Sequence, residues 1–187
     1  MGNKLEIQTT SLEGLCVIKP LSYEDERGMF SRIFCADELK DILNGRTIQQ
    51  INHSMTYQKG AVRGLHFQYP PDCEVKIVKC IKGSVLDVVV DIRENSKTFL
   101  QTFMTELSAH NHAMVYIPEG FAHGFQTLED ECELLYLHTS LYTPTNEGGL
   151  NVADPLLAIK WSLPITDIST KDKEQIFLDP TFRGIIV

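Results

Sequence analysis

Two histidines sit in segments whose composition is otherwise that of β-structure. His66 lies in Val62-Arg63-Gly64-Leu65-His66-Phe67-Gln68, and His123 in Pro118-Glu119-Gly120-Phe121-Ala122-His123-Gly124-Phe125. An imidazole titrates near ~6.5, so at neutral pH it can take up a proton and hand it on. A histidine between Leu65 and Phe67 is ordinarily a packed core residue. One that faces a cavity, flanked by an arginine and a glutamine, is a candidate base. Tyr136, Tyr142 and Asp172 lie further along and extend the set of groups able to move or stabilise protons.

Such side chains need strands to hold them. Val75–Lys82 and Val85–Ile92 alternate and meet at Gly83-Ser84, as paired strands do. In the second run Asp87 and Asp91 share a face with Val85 and Val89, which predicts one core face and one wetter face. Further strands are expected at Leu15–Lys19, Phe30–Phe34, Ile48–Ser54, Thr102–Leu107, Ala113–Ile117, Gly124–Leu128 and Leu134–Thr139. A single early helix is expected at Ala36–Leu43, with Leu39, Ile42 and Leu43 on one side and Asn44-Gly45 ending it.

Many short strands between turn residues, with no internal repeat and no linker, predict one all-β domain over residues 1–187. Its class is a jelly roll of the cupin type, a double-stranded β-helix with short peripheral helices. Pro118-x-Gly120-x-x-His123 looks like half of the cupin signature. The other half, a His-x-His pair followed by Glu, is matched only by His66, and His110-Asn111-His112 reads as a polar surface turn. The expectation is therefore a cavity that holds no metal.

Composition narrows the partners. The 187 residues are 43% hydrophobic, enough for a real core, and carry a formal net charge of −8. An acidic chain lacks the basic field that nucleic acid requires. Five scattered cysteines without metal-finger spacing fit a reduced, cytoplasmic protein. No stretch reads as a signal peptide or membrane span, and Glu6 stands where an N-myristoylation motif wants Ser or Thr.

Five segments occur in the order found in the dTDP-4-dehydrorhamnose 3,5-epimerase family, which the chain resembles over nearly its whole length. They are Asp25-Glu26-Arg27-Gly28, Arg63–Gln68, Val89-Val90-Asp91-Ile92-Arg93, Ile117–Phe125 and Ser169-x-Lys171-Asp172. The resemblance implies a homodimer, no cofactor, and a nucleotide-linked 4-keto-6-deoxyhexose as substrate, used to make activated rhamnose for surface polysaccharide. Carbons 3 and 5 of such a sugar flank a carbonyl, so each can lose a proton to give an enolate and regain it on the other face. That chemistry needs a base, an acid across from it, and a donor at the enolate oxygen.

The resemblance places Asp172 behind His66 as base and Tyr136 across from it as acid, and Lys76, alternating with Val75 and Ile77, is the enolate's companion if it faces the cavity. Taken singly, Asp172 also reads as part of a helix capping box, Tyr136 as a core strand aromatic and Lys76 as an outward lysine. Arg27 and Arg63 suit a pyrophosphate. Gln50, Asn52, Gln68, His123, Glu147 and Lys171 fall at substrate-contact positions, and Tyr142 at the position that stacks on the base. Phe30 and Tyr23 are further aromatic candidates.

Four positions depart from the family pattern. Ile51 replaces an Asp, Arg32 replaces a Glu that contacts the nucleotide, Val75 replaces the Gly before the lysine, and Leu137 replaces a Lys. Because Arg32 can only donate, a CDP- or GDP-linked sugar, with inversion at carbon 3 or carbon 5 alone, is the neighbouring alternative. A non-catalytic sugar-binding cupin would leave His66, Asp172 and Tyr136 unconverged. A metal-dependent cupin would bring His66 and His123 to a third ligand.

Overall fold

The computed structural model describes residues 3–187; Met1 and Gly2, where an acylation motif would begin, lie outside the described residues. Two antiparallel sheets face each other. The first holds six strands in the order β1 (Leu5–Thr9), β2 (Cys16–Pro20), β10 (Met114–Ile117), β7 (Lys76–Lys82), β12 (Cys132–His138) and β5 (Gln50–Thr56). The second holds five, β13 (Glu147–Gly149), β6 (Val62–Gln68), β11 (Phe121–Thr127), β8 (Ser84–Asp91) and β9 (Thr102–Ser108). A separate hairpin pairs β3 (Tyr23–Asp25) with β4 (Gly28–Phe30), and two short helices, α1 (Lys40–Leu43) and α2 (Thr170–Lys173), lie at the periphery. This is the expected cupin-type jelly roll.

Period-2 alternation explains how one set of strands makes both a core and a site. Along β12, Cys132, Leu134 and Tyr136 point between the sheets while Leu137 packs outside. On β7, Val78 and Cys80 point inward and Ile77 outward. Val85 and Val89 of β8 and Phe121 and Phe125 of β11 meet them from the other sheet. Each such fully buried apolar side chain contributes about 1.5–3 kcal/mol. On the same inward faces, apolar residues give way to Lys76 on β7, His123 on β11, and Tyr136 and His138 on β12, so one end of the interior is dry and the other is a polar cavity.

The outer faces are covered as well. Leu39 and Leu43 of the α1 region, with Ile33 and Phe34, pack over Ile18, Ile77 and Met114. Leu150, Val152, Leu157, Trp161 and Ile185 of the C-terminal segment cover Leu65, Phe67, Val88 and Val90. The face of β8 expected to be wetter, which Asp87 and Asp91 share with Val85 and Val89, turns inward between the sheets, and the expectation is corrected. Asp87 and Asp91 are fully buried, Asp87 against His123 and Asp91 in a network with Arg93, Ser96 and Thr98.

The expected strand at Phe30–Phe34 is likewise replaced. The β3–β4 hairpin ends at Phe30, and Ile33 and Phe34 reach the core from an irregular segment. The helix is shorter than expected, but its end stands: Asn44 caps it at φ 47° and Gly45 follows at φ 80°. Strands β1, β3 and β13 had no expectation attached.

Candidate active site

Strands β5, β6, β7, β11 and β12 wall a cavity of about 530 Å³, closed on one side by the segment leading into α2. His66 and His123 face each other directly in the β6–β11 register. The two strands approach closely at Gly64 and Gly124. A Cβ on Gly64, whose φ is +112°, would lie 2.6 Å from Gly124 Cα and from the His123 carbonyl oxygen. Only glycine fits this approach.

The His66 side chain is one-third exposed, and its Nε2 lies 2.7 Å from Asp172 Oδ1. With Nε2–H donating to the carboxylate, the lone pair is left on Nδ1. Asp172 is nearly sealed and also accepts the Gly64 N–H at 3.3 Å. Burial opposes its ionisation, yet the hydrogen bond from His66, with the Gly64 N–H, holds the carboxyl below the ordinary aspartate range. The capping role is present too: Ser169 Oγ accepts from Asp172 N–H at 3.0 Å, which fixes the residue while its side chain turns to His66.

Tyr136 shares the cavity. Its hydroxyl lies 2.9 Å from Ser54 Oγ, and its ring meets His123 edge-on and stacks on His138. Burial, with a smaller push from the Asp87 carboxylate, moves the phenol up to about 12, so at neutral pH it is an acid that holds its proton. His123 is buried with Nε2 at 2.8 Å from Asp87 Oδ2. Lys76 is also part of the wall, its Nζ 3.0 Å from Glu74 Oε1 and 3.5 Å from the His66 carbonyl.

A more open rim surrounds these groups. Tyr142, exposed, donates its hydroxyl to Glu147 Oε2 at 2.6 Å, and Lys171 Nζ lies 2.5 Å from the same oxygen. Burial opposes ionisation of Glu147, but these two donors hold it below the usual glutamate range. Gln50, Asn52 and Arg63 line the cavity, with Gln50 Oε1 accepting the Tyr142 N–H and Arg63 donating to the Met55 carbonyl. Gln68 lines it as well, but its amide binds the Asp72 and Leu141 carbonyls and the Thr143 N–H, tying down the loop that carries Tyr142.

Arg27 and Arg32 are not brought to this cavity. Arg27 stands on the β3–β4 hairpin with its side chain 89% exposed, paired with Asp25 at 2.5 Å, and Arg32 pairs with Glu38. Conversely, Ser54, Glu74, Asp87 and His138 belong to the site without having been singled out. Alternation carried the signal for two of them: His138 is two residues beyond Tyr136 and Glu74 two before Lys76. Among the described residues no three His, Cys, Asp or Glu side chains are grouped to hold a metal ion. His66 and His123 are each engaged by a carboxylate instead.

Residues 9–179 match the family model described as dTDP-4-dehydrorhamnose 3,5-epimerase. The dTDP-4-dehydrorhamnose 3,5-epimerase of Salmonella typhimurium is 38% identical over 172 residues, 91% of this chain and 93% of that protein. That of Methanothermobacter thermautotrophicus is 41% identical over 169 residues, covering 88% and 89%. Among solved structures, dTDP-6-deoxy-D-glucose-3,5-epimerase from Legionella pneumophila, in complex with dTDP-4-keto-L-rhamnose, is similar with a TM-score of 0.87 and 38% identity over 92% of each chain.

Proposed function

The chain belongs to the dTDP-4-dehydrorhamnose 3,5-epimerase family, and we propose on that premise that it inverts carbons 3 and 5 of dTDP-4-dehydro-6-deoxy-D-glucose to give dTDP-4-dehydro-L-rhamnose. The observation that carries this reading is the convergence of the His66–Asp172 pair, the Tyr136 phenol and the Lys76 ammonium on one cavity. A carbohydrate-binding module has no use for a carboxylate-backed imidazole opposite an un-ionised phenol.

His66 Nδ1 takes the proton from the carbon beside the carbonyl. The Asp172 carboxylate stabilises the imidazolium so formed and keeps the ring in its working tautomer. Charge moving onto the carbonyl oxygen is met by Lys76. Tyr136 then gives its own proton to the opposite face of the carbon, and solvent water resets the pair by taking the proton from the His66 imidazolium and supplying one to the Tyr136 phenolate. Arg63, Gln50 and Asn52 serve the pyrophosphate, Tyr142 stacks on the base, and Lys171 and Glu147 position the sugar nucleotide at the rim. His123 borders the sugar from the strand beside His66, and Gln68 acts through the loop it fastens. All steps use side chains of the chain alone, without metal or cofactor.

Arg27 fits this scheme as a contribution to a second copy. Its hairpin, with Phe30 75% exposed and Tyr23 and Met29 also exposed, stands apart from the cavity of its own chain. The protein is accordingly a homodimer in which each hairpin reaches the other subunit's site. Arg32, two residues beyond the same hairpin, pairs with Glu38 and does not reach the cavity of its own chain. Five free thiols suit the cytoplasm as the place of action. No helix of the described residues is long and apolar enough to cross a membrane.

The test is incubation with the dTDP-, CDP- and GDP-linked 4-keto-6-deoxyglucose in deuterated water, followed by proton NMR. Deuterium at carbons 3 and 5 of the dTDP sugar is expected. Exchange at one carbon only would make the protein a monoepimerase, and no exchange with any of the three would overturn the assignment.

A further inference from the structure

Glu74 and His138 have no part in the scheme above, yet both line its cavity. The β7–β12 register sets Lys76 opposite His138. The Glu74 side chain is 9% exposed and uses both oxygens: Oε1 accepts from Lys76 Nζ at 3.0 Å, and Oε2 accepts from His138 Nδ1 at 2.8 Å. On the other side of the ring, His138 Nε2 lies 3.4 Å from Asn52 Nδ2. An amide N–H can only donate, so Nε2 carries the lone pair and the proton sits on Nδ1. The ring is braced against Tyr136, with centroids 6.1 Å apart and planes at 24°.

Burial opposes ionisation of Glu74, but the hydrogen bond from His138 and the charge of Lys76 hold it below the usual glutamate range, so it is an anion. Of the three donors on Lys76, one goes to Glu74 and one to the His66 carbonyl. The third has no protein partner among the described residues. A lysine left free would have to be ordered at the moment of reaction, because its stem has many rotamers. One that is already held need not be.

We propose that Glu74 and His138 are positioning residues for Lys76: Glu74 anchors the ammonium, His138 fixes the rotation of the carboxylate, and the remaining N–H is thereby aimed at the substrate's carbonyl oxygen. The aim at that oxygen rests on the epimerase reading; the anchoring does not.

Two substitutions separate positioning from space-filling. His138→Phe keeps a flat ring against Tyr136 but cannot donate, whereas His138→Asn gives up the ring and keeps an N–H close to the place of Nδ1. Positioning predicts that His138→Phe lowers kcat about tenfold, the scale of one charge-assisted hydrogen bond, with KM within about twofold. His138→Asn should recover to within about threefold of the wild type, and Glu74→Gln should resemble His138→Phe. A well-turning-over His138→Phe beside an impaired His138→Asn would overturn the proposal.

The second readout does not depend on turnover. The Lys76 ammonium of ¹⁵N-labelled protein should give a slowly exchanging NMR signal in the wild type and in His138→Asn. That signal should be lost in His138→Phe and in Glu74→Gln, with thermal melts confirming folded protein. A signal unaffected by both of the latter substitutions would overturn the anchoring, and a wild type inert toward all three sugar nucleotides would overturn the epimerase reading alone.

Discussion

His66 was legible because it sits in a seven-residue segment that matches a family motif, and Asp172 because it closes a second one. Their 2.7 Å contact joins residues 106 positions apart, a fact that neither segment contains. His138 shows the complementary blind spot. In Leu134-Leu135-Tyr136-Leu137-His138 the motif draws attention to Tyr136, and strand alternation alone places the imidazole beside it. Gln68 shows a third case, in which a motif position lines the cavity with its polar atoms already engaged in holding a loop. The residue-scale prediction follows from the division of labour. His66→Ala should reduce solvent deuterium uptake at both carbons by at least about 10²-fold, the usual worth of a positioned base. Calorimetry should show dTDP binding within about threefold of the wild type, since the pyrophosphate and base contacts are elsewhere. Parallel loss of binding and exchange would make His66 an anchor for the substrate and not its base.

The strands of the two sheets were readable wherever alternation ran for seven or eight residues, as in β7 and β8. Shorter runs at β2 and β10 were readable too, but the Phe30–Phe34 expectation failed. Phe30–Phe34 looks like a strand because it is apolar, but Gly28 at φ +128° belongs to a tight hairpin, and the chain leaves it without pairing further. The wet face assigned to β8 failed for a different reason: polarity was taken as exposure, whereas Asp87 and Asp91 are buried with partners supplied by distant residues and by the loop after β8. The hairpin itself carries a prediction. In the proposed homodimer its exposed aromatics and Arg27 serve a neighbouring subunit, and light scattering should then return twice the mass of one chain. Arg27→Ala should raise KM roughly tenfold with kcat nearly preserved, as expected when one guanidinium–phosphate contact is lost. A monomer, or an Arg27→Ala enzyme with unaltered KM, would sink this role.

At the scale of the whole molecule, titration couples the site to stability. Asp172, Glu74, Asp91 and Glu147 are all opposed by burial and all held below the ordinary carboxylate range by their partners. The unfolded chain therefore takes up protons that the native chain refuses, and the stability present above about pH 4–5 is lost as pH falls through the lower native values. On Cys80, Tyr116 and Tyr136 burial prevails over the partners and the net shift is upward, each moved up to about 12. Their contribution is complete below the ordinary thiol and phenol values of about 8.5 and 10, and is lost as pH rises toward the native ones. The melting temperature should therefore be level between about pH 5 and 8 and fall by several degrees on either side. Scanning calorimetry across that range would reveal a monotonic slope if these assignments are wrong.

The gradient along the inward faces has a consequence for how such a molecule can change. Residues that line the cavity, such as Lys76, His138 and Asn52, are spaced by the same two-residue period as Val78, Cys80 and Leu134, which lie in the core. The two sets share strands yet occupy different ends of them. New substrate preferences can accordingly be drafted at the mouth of the barrel while the dry end is left untouched, which makes the scaffold a stable chassis for exchanging chemistry.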